Sequence, residues 1–148
     1  MRTLLALLLL ALAVPAFADS PNCTPGSGTC TATLIYTEPT TLTSGVPLTN
    51  LQDGVFTYQK DGGPAQVLTV PASKPQGGGT LSVQIAPQTI PVCTRATLTG
   101  SLVMRTATGQ LSSPTAAPPL TLDRSKMPDG TSDPSCVTPS PSTGVTFR

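Results

Sequence analysis

Between Thr31 and Thr37 the chain alternates with a single exception. Ala32, Leu34 and Tyr36 fall on one side, and Thr31, Thr33 and Thr37 on the other, with Ile35 the one apolar residue of the outer side. A period of two with one apolar side is the mark of a strand with one buried face. Glu38-Pro39 ends it, because proline cannot donate to a ladder and pushes its predecessor out of helix. The stretch Thr31 to Thr41 is therefore a strand and its stop, and the rest of the chain must close over it.

Downstream residues repeat the same grammar. Val55 to Lys60 reads as a strand, and Gln66 to Val70 as its return. Between them Asp61-Gly62-Gly63-Pro64 is a hairpin turn, since Asp-Gly and Gly-Gly tolerate positive φ. Pro71 ends the return strand, and Pro75 to Gly79 is a second turn with three consecutive glycines. Thr80 to Ile85 alternates again, with Leu81, Val83 and Ile85 on one face, and Pro87 to Pro91 reads as a loop. In the long stretch Cys93 to Thr106, Ala96, Leu98, Leu102 and Met104 share a face, and Gly100 marks a bulge or bend. A last strand over Leu111 to Leu122 is confined to an edge by Pro114, Pro118 and Pro119. No useful helical stripe and no solenoid or propeller repeat interrupts this series. Short strands between turn signals indicate an all-β sandwich.

The first 18 residues read differently. Arg2, the apolar run Leu4 to Val14 and the small-x-small motif Ala16-Phe17-Ala18 are the three parts of a secretory signal peptide, with removal expected before Asp19. The apolar run is shorter than the ~20 residues of a membrane span, so no span is expected after cleavage. Residues 19–122 are then the sandwich. Residues 123–148 are rich in Pro, Ser, Thr, Asp and Gly, and are expected to form a disordered tail held only at Cys136.

Four cysteines, Cys23, Cys30, Cys93 and Cys136, all follow the leader. An even count in an exported chain reads as two disulfides, in a secreted, periplasmic or extracellular setting. A metal site would need clustered ligands and usually histidine; histidine is absent and no pair has C-x2-C spacing. The same absence removes a Ser-His-Asp or Cys-His site. Glu38 is the sole glutamate, and the aspartates sit mostly in turn or tail contexts, where they bond nearby backbone. Gly77-Gly78-Gly79 has no helix after it to bind phosphate, so it reads as a turn. Eight Lys and Arg against seven Asp and Glu, one of the basic residues being Arg2 of the leader, leave a mature charge near zero. Nothing there would neutralise a nucleic-acid backbone. No enzyme activity and no cofactor are expected.

The run from Thr31 to Ser73 resembles the first half of a fibronectin type III domain. It has an alternating strand ending in Thr-Glu-Pro, a loop with Ser-Gly-Val-Pro-Leu, an aromatic strand and a Gly-Gly-Pro hairpin. Thr80 to Ile85 resembles the family's fifth strand, and Gly109-Gln-Leu-Ser-Ser-Pro114 the approach to its last. The resemblance covers Thr31 to Leu122 and implies an immunoglobulin-like β-sandwich. Tyr36 stands where the family has its core tryptophan. The family's sixth-strand tyrosine has no counterpart, and Cys93 sits near its place. The family's topology also implies that the four cysteines gather at one pole. Two pairings fit: Cys23–Cys30 with Cys93–Cys136, or Cys30–Cys93 with Cys23–Cys136. The tight Pro-Gly-Ser-Gly loop favours the first.

These features predict a secreted, non-enzymatic interaction module for a protein or a glycan. Two other roles are open: a self-assembling structural subunit of an extracellular filament, envelope or virion, or an inhibitor presenting the Cys23–Cys30 loop. Phe56 and Tyr58 are the candidate partner-binding residues if they face outward. Apolarity places both in the core, whereas alignment to the family places Val55 and Thr57 there, and only one phase can hold. If the aromatic pair serves neither role, the loops Thr40 to Leu48 and Ala107 to Gln110 take the binding role.

Overall fold

The computed structural model describes residues 16–17, 22–23, 28–126 and 129–136, with only the backbone path for 16, 17 and 22. The strands are β1 (Ala16–Phe17), β2 (Asn22–Cys23), β3 (Thr29–Thr37), β4 (Leu51–Lys60), β5 (Gln66–Pro71), β6 (Thr80–Thr89), β7 (Arg95–Thr106) and β8 (Thr115–Asp123). A single 3-10 turn follows at Pro134–Cys136. All pairing is antiparallel, and the strands form two sheets. In one sheet β3 pairs with β6 from Thr29 to Thr37, so β1 and β2 hold its opposite edge. The other sheet has the order β5-β4-β7-β8. Of the leader read over residues 1–18, only Ala16–Phe17 lies within the described residues.

The alternation read from the sequence is the packing of the core. Leu34, Tyr36, Ile85, Leu98, Leu102, Met104 and Leu122 are buried between the sheets. Two strands are longer than the turn signals suggested, whereas β8 begins only at Thr115, four residues after the expected start at Leu111. β4 starts at Leu51, and β6 continues through Pro87 to Thr89 rather than yielding to a loop. Proline is tolerated there because the β3–β6 register shifts between Cys30 and Ala32, where β6 carries an extra residue and the ladder is already broken. Pro118 and Pro119 use the same device. They lie where β8 bulges against Leu98 and Gly100, on the edge strand that the prolines predicted.

Gly100 has a second reason. A Cβ there would lie 2.6 Å from Cζ of Phe56 and 2.8 Å from the Thr57 carbonyl oxygen. The missing side chain is the space that the Phe56 ring fills. The turn after β4 is the one expected. Asp61 and Gly62 both take positive φ, and the Gly63 N–H donates to the Lys60 carbonyl at 2.8 Å. That is the type I′ geometry matching the twist of a hairpin.

The expected tail begins later than Asp123. The Arg124 N–H donates to the Thr94 carbonyl at 2.9 Å, and the side chain is buried, with Nη1 directed at the Ile90 carbonyl at 3.4 Å. Asp123, Asp129 and Asp133 each accept from the N–H and hydroxyl of a Ser or Thr two residues on. Lys126 bridges Ser132, and the Asp133 N–H donates to the Ser125 carbonyl. Composition underestimated this segment, because these turns and one cystine hold it without apolar burial. Residues 137–148 lie outside the described residues.

Candidate functional site

Two disulfides are present, Cys23–Cys30 and Cys93–Cys136, with Cα separations of 4.0 and 5.3 Å. All four cysteines lie at one pole, where β3 and β7 begin and β8 ends. Cys23 and Cys30 are direct partners in the β2–β3 ladder, the close pair type whose side chains face each other. Arg124 joins the two halves of this pole, since its guanidinium lies 3.6 Å from the Cβ position of Gly28 and points to Ile90. Two such bonds belong to an oxidising, extracytoplasmic environment. Residues 24–27, the tip of the loop proposed for an inhibitor, lie outside the described residues.

Phe56 and Tyr58 occupy the apolar phase of β4. They are 0% and 4% exposed, with ring centroids 5.6 Å apart and planes 16° from parallel. Tyr58 donates its hydroxyl to Oε1 of Gln66 at 2.8 Å. Both rings are spent on the core, so neither presents a face to a partner. This corrects their candidacy as binding residues. The alternative phase, with Val55 and Thr57 inside, is not the one adopted. Burying two large aromatics removes more apolar surface from water than burying Val and Thr.

At the pole opposite the cystines, three loops meet: residues 38–50, 72–79 and 107–114. Glu38 ties the first two together. Its carboxylate accepts from the Ser73 N–H at 2.7 Å, the Ser73 hydroxyl and the Gly79 N–H at 3.1 Å, and its own N–H donates to the Gly79 carbonyl. A Cβ on Gly77 would come within 2.0 Å of the Pro39 carbonyl oxygen, and one on Gly79 within 2.3 Å of Ser73 Oγ. The glycine run therefore lets backbone lie against backbone. The third loop is tied to Asn50, whose carbonyl accepts from the Ala107 N–H at 2.8 Å and whose Nδ2 donates to Thr108 Oγ1 at 3.3 Å. Within the first loop, Thr40 to Leu48 is a small hairpin. Leu42 donates to Val46 and Leu48 to Thr40, both at 2.8 Å.

The surface built this way is tied together by hydrogen bonds between its loops, rich in hydroxyls and nearly uncharged. Among its residues only Glu38 and Lys74 carry charge, and Glu38 is buried. Val46 and Leu111 stand out from it, 54% and 56% exposed. Sequence reasoning passed over both. Val46 is one letter of a loop motif, and Leu111 falls in the expected last strand. The signal that distinguishes them is a lone aliphatic residue flanked by turn formers.

Beneath the loops, Arg105 donates from Nε and Nη2 to the two carboxylate oxygens of buried Asp53, at 2.9 and 2.5 Å. Bonding to Asp53 first, and its charge second, raises the Arg105 pKa above its ordinary value. Nearby, the buried Tyr36 hydroxyl has no hydrogen-bond partner among the described groups. Burial first, then the charges of Glu38 and Asp53, push the phenol up to about 12. A shallow open trough of about 360 Å³ lies on the outer face of the second sheet over Gly100, lined by Thr57, Gln59, Thr99 and Ser101. Among the described residues no group of three His, Cys, Asp or Glu side chains could hold a metal ion. No helix among them is long and apolar enough to cross a membrane.

In comparisons with family models, curated proteins and solved structures, nothing matches this chain.

Proposed function

We propose that this chain is an exported, non-enzymatic binding module of fibronectin type III-like build, which holds a protein partner at the loop pole opposite its cystines. The family reading is supported by the partition of strands, with β3 and β6 in one sheet and β4, β5, β7 and β8 in the other. Tyr36, buried at the tryptophan's place, supports it as well. The single observation that carries the function is the set of cross-tied loops presenting Val46 and Leu111 on a hydroxyl-rich, nearly uncharged surface. Preformed loops lose little entropy on binding, and lone aliphatic residues ringed by polar ones are the kind of anchor a protein interface uses. A protein fits better than a glycan, because Tyr36, Phe56 and Tyr58 are all buried and leave no aromatic platform on this pole among the described residues.

The test compares affinity capture from the native exoproteome by the wild-type chain and by a Val46→Ser, Leu111→Ser double variant. Both sites are exposed, so the variant should keep its stability within about 0.5 kcal/mol at each position. A partner held by the wild type and lost by the variant supports the reading. Equal capture by both refutes it, and a glycan array run alongside shows whether the ligand is a sugar instead.

A further inference from the structure

Three of the outer strands in this sandwich carry proline. β5 ends in Pro71, β6 contains Pro87, and β8 contains Pro118 and Pro119. Proline on an edge prevents another chain from adding there. The outer edge of β3 has no such guard, since Thr29 to Thr37 holds neither proline nor charge. That edge is covered instead: β2 sits on Cys30 and Thr31, and β1 on Leu34 and Ile35. β1 is Ala16–Phe17, two residues of the motif at which the leader is expected to be cut.

Cleavage before Asp19 therefore takes away the cover of β3 and leaves β2 in place, held by the Cys23–Cys30 bond. The groups laid bare can be named. The Glu38 N–H points toward β6, because it donates to the Gly79 carbonyl just before that strand. Backbone direction alternates along a strand, so the N–H and C=O of Thr33, Ile35 and Thr37 point to the opposite, open edge. β8 lies beside β1, so the second sheet floors the vacated slot.

We infer that in the mature protein this slot is filled by the segment Val145-Thr146-Phe147 of a second copy of the chain, paired antiparallel to β3. Outside the leader and the described residues, it is the one run in which apolar residues alternate with a polar one without proline. With Phe147 opposite Leu34, Val145 falls opposite Tyr36 and both share the core face, while Thr146 joins Ile35 outside. The same chain cannot supply the segment in this direction. From Cys136, at the cystine pole, residues 137–144 extend at most about 28 Å at about 3.5 Å each. Reaching Tyr36 from there already takes about seven residues of strand rise, roughly 23 Å. Too little chain is left to turn back, and β2 blocks the near end of the edge. The copies therefore join through exchanged tails, a strand-addition contact.

The inference rests on removal of the leader before Asp19, which N-terminal sequencing of the exported protein checks by itself. Sedimentation of that protein over a range of concentrations should show assembly beyond the monomer. Phe147→Ser should give a folded monomer, with a melting temperature equal to that of the wild-type protein diluted to its monomeric range. A synthetic peptide of residues 142–148 should bind the Phe147→Ser protein and dissolve the wild-type assembly, and a peptide carrying the same substitution should do neither. Ile35→Pro, which removes an edge N–H, should also abolish assembly and peptide binding. A monomeric wild-type protein beginning at Asp19 overturns the inference. So does an assembly indifferent to Phe147→Ser and to the peptide. A protein that keeps residues 16–17 brings down the export reading, and this inference with it.

Discussion

Tyr36→Phe should stabilise this protein. The ring is 1% exposed, and its hydroxyl has no partner among the described groups. A buried polar group left unsatisfied costs about 1–3 kcal/mol relative to its hydrated state. The substitution removes only the oxygen and keeps the ring, so packing is conserved and the penalty is lifted. We expect a gain of about 1 kcal/mol or more at pH 7, which for a domain of this size raises the melting temperature by about 3–5 °C. The pH dependence gives an independent check. Burial, then Glu38 and Asp53, raise the phenol from 10.0 to about 12 in the folded state. The folded state thus favours the neutral phenol. Its contribution is complete below pH 10 and is lost as pH rises from 10 toward 12, because the unfolded chain ionises first. The Tyr36→Phe protein has no such loss, so its advantage should widen above pH 10. Urea unfolding followed by circular dichroism at pH 7, 9 and 10.5 measures both effects. A variant less stable than wild type at pH 7 would mean that the hydroxyl is satisfied, and the argument fails. A gap that stays constant above pH 10 would show that the phenol is not desolvated.

Gly100→Ala should cost about 1–3 kcal/mol by overpacking against Phe56 and the Thr57 carbonyl, read from the shift of the urea midpoint. Glu38→Ala removes the acceptor for Ser73 and Gly79, and should cost about 2–4 kcal/mol. Hydrogen exchange should then show loss of protection first in the loop 72–79. Replacing Cys93 and Cys136 by Ser should cost about 4 kcal/mol, against about 2.5 kcal/mol for Cys23 and Cys30, because the loops closed differ so much in length. Brief trypsin treatment should spare the bond after Arg124, which is buried, and cut after Lys126, which is exposed; early cleavage at Arg124 would mean the segment after β8 does not pack.

The sequence alone determined the strands over Thr31–Thr37 and Thr80–Ile85 and the face each buries. Alternation is a property of neighbouring residues, so Ala32, Leu34 and Tyr36, or Leu81, Val83 and Ile85, declare their side without reference to anything distant. The Asp61-Gly62 turn was legible for the same reason, since its φ values are a local matter. The cysteine count, with the expected leader, indicated two bonds, and the favoured pairing is the one the structure contains. Other features depend on which segments lie close in space, and only the tertiary structure decided them. The phase of Phe56 and Tyr58 followed from the space above Gly100, 44 residues away from Phe56 along the chain. Glu38 was an isolated carboxylate until Ser73 and Gly79 came to it, and the glycine run a flexible turn until Pro39 lay against it. Residues 123–126 and 129–136 looked too polar to order, yet Arg124 and three aspartate turns hold them. Val46 and Leu111 share a pole because antiparallel pairing returns distant loops to the same end of the sandwich. Short-range patterns write secondary structure, but long-range proximity, which no local pattern encodes, decides what each buried or exposed side chain is for.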